Sequence, residues 1–213
     1  MSRKYKPSKI VCVGRNYLGH ARELGNDVPE RPLIFLKPPS AIIENGDAIV
    51  LPPDSNRVDH EGEIGILIGK RARHVSEDEA AKVIAGYLPI NDVTARDLQK
   101  MDVQFTRAKG FDTFCPVGTD LVPASTDWRS LEVVCRVNGA ERQHGRATDM
   151  AFGIPTLIAF ISRVMTLEPG DLIATGTPEG IGPLSAGDVV DVELVGHSKV
   201  SNPVIGFESV TAG

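Results

Sequence analysis

The stretch RVDHEGEIGILIGK (residues 57–70) sets two carboxylates, Glu61 and Glu63, into a segment that otherwise reads as a buried strand. Alternate side chains of a strand share a face, so Glu61, Glu63 and Gly65 point one way. His60, Gly62, Ile64, Ile66 and Ile68 point the other. Two acids buried side by side repel, and burial makes the charged form costlier still. One resolution is an edge strand whose acids face water. The other is a divalent cation, which turns the repulsion into coordination; hard oxygen ligands select Mg²⁺, Mn²⁺ or Ca²⁺. On that reading the flanking glycines clear space beside the acids. The segment AGYLPINDVTARDLQ (85–99) favours the cation, because its apolar run Tyr87–Ile90 ends at Asn91-Asp92 and passes into a helix. Asp92 at a strand end supplies a third carboxylate.

Outward from this core the pattern is many short strands joined by turns. The spacing predicts strands over Lys9–Val13, Pro32–Leu36, Ala48–Leu51, Glu61–Ile68, Leu88–Asp92, Asp171–Thr175, Val189–Leu194 and Lys199–Pro203. LEVVCRVNGAERQHG (131–145) reads as a hairpin with Asn138-Gly139 as a type I′ turn. Gly-Asp before an apolar run occurs three times, in NGDAIVL, PGDLIAT and AGDVVDV. The flanks differ, so this is a recurrent turn and not a repeat. Helices are few. SEDEAAKVIAG carries a Ser76/Glu79 capping box with Gly86 as a stop. TARDLQKM is a short helix, and IPTLIAFISRVM starts with Pro155 in its first turn and has an apolar body. The fold class is mostly β with a few helices (α+β), in a single domain over 1–213.

The chain has 213 residues and a formal net charge of −5, with no basic stripe, which argues against nucleic acid as a partner. No apolar stretch reaches the length of a membrane span, and the basic N-terminus lacks the apolar core of a signal peptide. Cys12, Cys115 and Cys135 have no metal-like spacing and read as reduced thiols of a cytoplasmic protein. Cys115 has no neighbouring base that would make it a nucleophile.

Four motifs, HEGEIGILIGK, NDVTARDLQ, AKGFDTFCPVG and TGTPEGIGPL, occur in that order, preceded by GRNYLGHARELG and PLIFLKP. Together they resemble the fumarylacetoacetate hydrolase family, and most of all its short acylpyruvase and oxaloacetate decarboxylase members. The resemblance covers about Lys9 to Leu194. It implies a mixed β-sandwich roll over about 31–205, an N-terminal strand and mobile lid over about 9–30, a homodimer, and a Mg²⁺ or Mn²⁺ site. It assigns Glu61, Glu63 and Asp92 as metal ligands and His20, Glu23 and Lys109 as catalytic residues. It assigns Arg96, Gln99 and Thr177 to substrate binding. Gly62 and Gly110 depart from the usual family residues and are expected to reshape the pocket.

The substrate this implies is a small 2-oxo acid, which chelates a metal through its keto and carboxylate oxygens. The cation then acts as a Lewis acid and favours an enolate next to the keto group. Decarboxylation of oxaloacetate and hydrolysis of an acylpyruvate or fumarylpyruvate both use that capacity. Isomerisation of an unsaturated 2-oxo diacid uses it too, and a silent metal-binding homologue is the non-enzymatic alternative. Only hydrolysis requires an activated water, for which His20 oriented by Glu23 is the base. Lys109 and Arg96 balance negative charge, with the Arg96 fork suited to a carboxylate. The Thr177 hydroxyl and the backbone of its turn face the substrate. His60 lies on the opposite face of its strand as a core or supporting group, and His74, His144 and His197 are solvated.

Overall fold

A computed structural model describes residues 4–23, 25 and 29–207. Leu24 and residues 26–28, within the expected lid, lie outside the described residues. The strands in chain order are β1 (Ile10–Gly14), β2 (Leu33–Lys37), β3 (Ile42–Ile43), β4 (Ile49–Leu51), β5 (Val58–His60), β6 (Gly62–Ile68), β7 (Ile84–Asn91) and β8 (Thr94–Ala95). They continue with β9 (Cys115–Pro116), β10 (Val122–Pro123), β11 (Glu132–Val137), β12 (Ala140–Arg146), β13 (Leu172–Ala174), β14 (Gly182–Pro183), β15 (Val189–Leu194) and β16 (Ser198–Gly206). The α-helices are α1 (Leu18–Glu23), α2 (Glu77–Ala80), α3 (Arg96–Met101), α4 (Thr106–Lys109) and α5 (Ile154–Val164).

A six-stranded mixed sheet in the order β10-β7-β6-β13-β1-β2 packs against a five-stranded sheet in the order β12-β11-β15-β16-β4. Period-2 alternation in β6 separates two cores. Ile64, Ile66 and Ile68 join Val133, Cys135, Val190 and Val192 between the sheets. Leu67 faces the other way, with Leu88, Ile90, Ile10, Cys12 and Leu172. Glu63 lies on this second face, opposite Ile90 in the ladder. Helix α5 buries Ile154, Leu157, Ile158 and Ile161 and exposes Val164.

The turn chemistry follows the sequence closely. Asn138 and Gly139 both take positive φ, 53° and 77°, as a type I′ hairpin turn requires. In the three Gly-Asp turns the glycines sit at φ 87°, 94° and 96°. Each Asp carboxylate accepts the N–H three residues back: Asp47 from Glu44 (2.9 Å), Asp171 from Glu168 (2.8 Å) and Asp188 from Ser185 (2.7 Å).

Several expectations are corrected. The strand breaks at Glu61, between β5 and β6, because Asn91 Oδ1 takes the Glu61 N–H at 2.9 Å and the Glu61 carbonyl accepts from the Asp92 N–H at 2.8 Å. Gly86 does not stop a helix. The helical turns end by Val83, and Gly86 lies inside β7, where a Cβ would come within 2.4 Å of the Val122 carbonyl on β10. Nor do Gly62 and Gly65 leave room around the acids. A Cβ on Gly62 would meet Cys135 at 2.8 Å across the inter-sheet core, and one on Gly65 would meet Ile90 at 2.5 Å. Both glycines permit close packing, so Gly62 does not reshape the pocket. Gly110 lies under the Thr106 carbonyl and Pro38, outside the cavity lining. His144, on strand β12, is exposed as expected and pairs with Glu132 at 2.8 Å.

Candidate metal centre and active site

Four local features converge on one cavity of about 280 Å³: the β5–β6 break, the end of β7, helices α3 and α4, and helix α1. The break carries Glu61, Glu63 lies just inside β6, the residue after β7 is Asp92, and all three side chains are buried. Each can offer an oxygen to a common point, with the three ligand atoms within 4.8 Å of one another.

The three acids differ in how they are held. Glu61 is braced by Lys109 at 2.8 Å and by the Arg96 guanidinium. Asp92 receives Lys37 Nζ on one oxygen (2.6 Å) and Lys109 Nζ on the other (2.7 Å). Among the described residues, Glu63 accepts only the Gly176 N–H, at 2.7 Å. Burial works against every charge here. For Glu61, Lys109 and Arg96 outweigh burial and hold the carboxyl far below the usual range. For Glu63, burial with Asp92 and Glu61 alongside pushes it well above. Lys109 stays protonated, because Asp92 and Glu61 more than offset its desolvation. Lys37, Lys109 and Arg96 thus brace Glu61 and Asp92, and no cation among the described residues lies in salt-bridge contact with Glu63. An all-oxygen donor set that includes one under-paired acid fits a hard divalent cation.

The other expected residues also line this cavity, apart from Glu23. His20 is buried on α1, and its Nδ1 lies 3.3 Å from Glu23, whose other oxygen accepts the Gly180 N–H at 3.1 Å. Helix α1 is thereby tied to the 176–180 turn, and a Cβ on Gly19 would collide with Glu179. Gln99 is half-buried on α3 and accepts from Arg96.

Two expected roles change. The Arg96 fork is not open to a substrate carboxylate, because it is spent on Asp59 (3.0 Å), Glu61 and Gln99. The Thr177 hydroxyl donates to the Gly62 carbonyl (2.9 Å) and accepts from Gln143 (2.7 Å), so it fixes the turn to the ligand strand. Cys115 is buried and its thiol is pushed up to about 12 by burial, which excludes it as a nucleophile.

Four supporting residues were not anticipated. Lys37 is a wholly buried cation at the end of the apolar run PLIFLK; a lysine closing such a run was the available signal. Asp59 pairs with Arg96 and Arg57. Gln143 receives the Gly62 N–H (2.9 Å) and His60 Nδ1 (3.1 Å) on its carbonyl oxygen, and donates to Thr177 and Pro178. This places His60 behind the ligand strand, as its face predicted. Arg15 lines the cavity with its backbone at φ 57°.

The family model described as fumarylacetoacetate (FAA) hydrolase C-terminal matches residues 9–205. The chain belongs to the fumarylacetoacetate hydrolase family. Within it, the chain is 46% identical over 198 residues to a mitochondrial oxaloacetate tautomerase of Arabidopsis thaliana, covering 91% of this chain and 89% of the relative. It is 43% identical over 195 residues to a mitochondrial oxaloacetate decarboxylase of Dictyostelium discoideum, covering 88% and 89%. The solved structure of a fumarylpyruvate hydrolase from Pseudomonas aeruginosa, in complex with Mn²⁺ and pyruvate, superposes with a TM-score of 0.89. That pair is 29% identical, and the match covers 97% of this chain and 93% of that one. No helix among the described residues is long and apolar enough to cross a membrane.

Proposed function

We propose that this member of the fumarylacetoacetate hydrolase family is a divalent-metal-dependent enzyme acting on a small 2-oxo acid, with oxaloacetate as its leading substrate. The observation that carries this reading is the buried Glu61, Glu63 and Asp92 triad opening onto a cavity that also holds His20 and Lys109. Relatives named as an oxaloacetate tautomerase and an oxaloacetate decarboxylase support the substrate. Glu61, Glu63 and Asp92 would hold Mg²⁺ or Mn²⁺, which supplies Lewis acidity toward the keto and carboxylate oxygens of the substrate.

The remaining work belongs to the chain's own residues. In decarboxylation the C3–C4 bond breaks, CO₂ leaves, and the electron pair moves toward the keto group. Lys109, held protonated beside the ligands, offsets the negative charge that develops there. Protonation or deprotonation at C3, the step that tautomerisation and decarboxylation share, falls to His20, which Glu23 orients.

Acylpyruvate hydrolysis is a second reading, favoured by the same His20–Glu23 pair, which can deprotonate a water. Purified protein with Mg²⁺ or Mn²⁺ should turn over oxaloacetate, and EDTA should abolish that turnover. Activity that survives EDTA would overturn the reading. His20→Ala should cost at least about 100-fold in proton transfer at C3 or in acylpyruvate hydrolysis; full retention of both would remove His20 from the chemistry.

A further inference from the structure

Four cationic side chains line the cavity: Arg15, Arg96, Lys100 and Lys109. Arg96 and Lys109 are consumed by Asp59, Glu61 and Asp92. Among the described residues, Arg15 and Lys100 have no carboxylate partner. Lys100 is exposed on α3 and solvated, whereas Arg15 is half-buried, between the end of β1 and helix α1. The same cavity has Val13, Leu33, Phe35 and Phe105 in its walls beside the three acids.

Its backbone is also unusual. Arg15 sits at φ 57°, a left-handed conformation that a side chain of this size rarely adopts. The chain is pinned on both sides of it. Gly14 pairs with Leu33 in the β1–β2 ladder. Asn16 accepts the Phe152 N–H at 2.9 Å and donates to the Thr175 carbonyl at 2.8 Å. A left-handed residue held by its surroundings at the wall of the cavity, with no carboxylate partner among the described residues, is placed to meet a ligand.

We infer that Arg15 is a specificity-determining residue that takes the distal carboxylate of a 2-oxo diacid whose 2-oxo acid end is held at the acidic triad. The inference rests on the functional reading above and deepens it: the preferred substrate is a dianion, not an acylpyruvate with a neutral tail. A planar guanidinium pairs with a carboxylate through two parallel hydrogen bonds, which a methyl ketone cannot supply.

The test uses Mn²⁺-loaded protein and non-reacting ligands, so it does not depend on turnover. Malate and lactate both chelate through a 2-hydroxyl and a carboxylate, and only malate has the distal carboxylate. Oxalate, which has no distal group, reports an intact metal site. In Arg15→Met the new side chain bears the same backbone strain, so the fold is preserved. Malate affinity should fall about 30- to 100-fold, as expected for a lost charge-assisted pair. Lactate and oxalate should stay within about two-fold, and Arg15→Lys should recover part of the loss. An unchanged malate-to-lactate ratio with oxalate still bound would overturn the inference. Failure of the wild-type protein to turn over any 2-oxo acid would sink the functional reading instead, and the binding ratio would still decide the role of Arg15.

Discussion

Two buried carboxylates stand at opposite ends of the β6–β13 pairing, and the fold treats them in opposite ways. Asp171 precedes β13 and is fully enclosed. It accepts the Ser8 N–H (2.9 Å) and hydroxyl (2.7 Å), the Lys9 N–H (3.2 Å), the Glu168 N–H (2.8 Å) and the Lys9 ammonium. Glu63, at the far end and equally shut off from solvent, accepts one N–H among the described residues. Burial would raise both acids. For Asp171 the hydrogen bonds from Lys9, Glu168 and Ser8 outweigh burial and hold the carboxyl below its ordinary value. For Glu63 burial and the neighbouring acids win. Loss of solvent contact alone therefore does not distinguish a structural acid from a ligand; saturation with donors does.

The apolar span between the two ends provides the scale. Ile66→Ala opens a cavity between the sheets and should cost about 2–5 kcal/mol in chemical denaturation. A cost below about 1 kcal/mol would mean that the inter-sheet core is less tightly packed than its burial implies. Asp171→Asn comes next, at about 1–3 kcal/mol at pH 7, because donors built for an anion lose their acceptor. The pH dependence has a definite sign. A carboxylate whose folded pKa lies below its unfolded one stabilises fully above the unfolded value and loses that contribution as pH falls through the folded one. The gap between wild type and Asp171→Asn should therefore close below about pH 4. A gap that stayed constant down to pH 3 would show that Asp171 does not act through its charge.

Much of this contrast was legible in the sequence. The spacing of Glu61 and Glu63 and the strand-end position of Asp92 are short-range signals, and period-2 alternation carries them into space. The Asn138-Gly139 hairpin and the Gly-Asp turns were legible because turn chemistry is local. What lay across the fold was not. Lys37 reaches Asp92 over 55 residues, and Gln143 reaches Gly62 over 81. Alternation says which way Gly62 and Gly65 point, but not that Cys135 and Ile90 fill the space there. Arg96 looked like an open fork because Asp59 had no visible partner in the sequence. Arg15 is conspicuous only once the other cations of the cavity are accounted for.

The central claim is that Glu63 is under-paired because a metal completes it. Calorimetric titration of Mn²⁺ into wild type and Glu63→Gln, with the melting temperature of each metal-free protein, tests it most directly. The isosteric amide keeps an acceptor for the Gly176 N–H and removes the carboxylate that a metal would need. The account predicts one Mn²⁺ site per chain in wild type, affinity weakened at least about 100-fold in Glu63→Gln, and an unchanged or higher melting temperature for the metal-free variant. Mn²⁺ bound equally well by Glu63→Gln would contradict it.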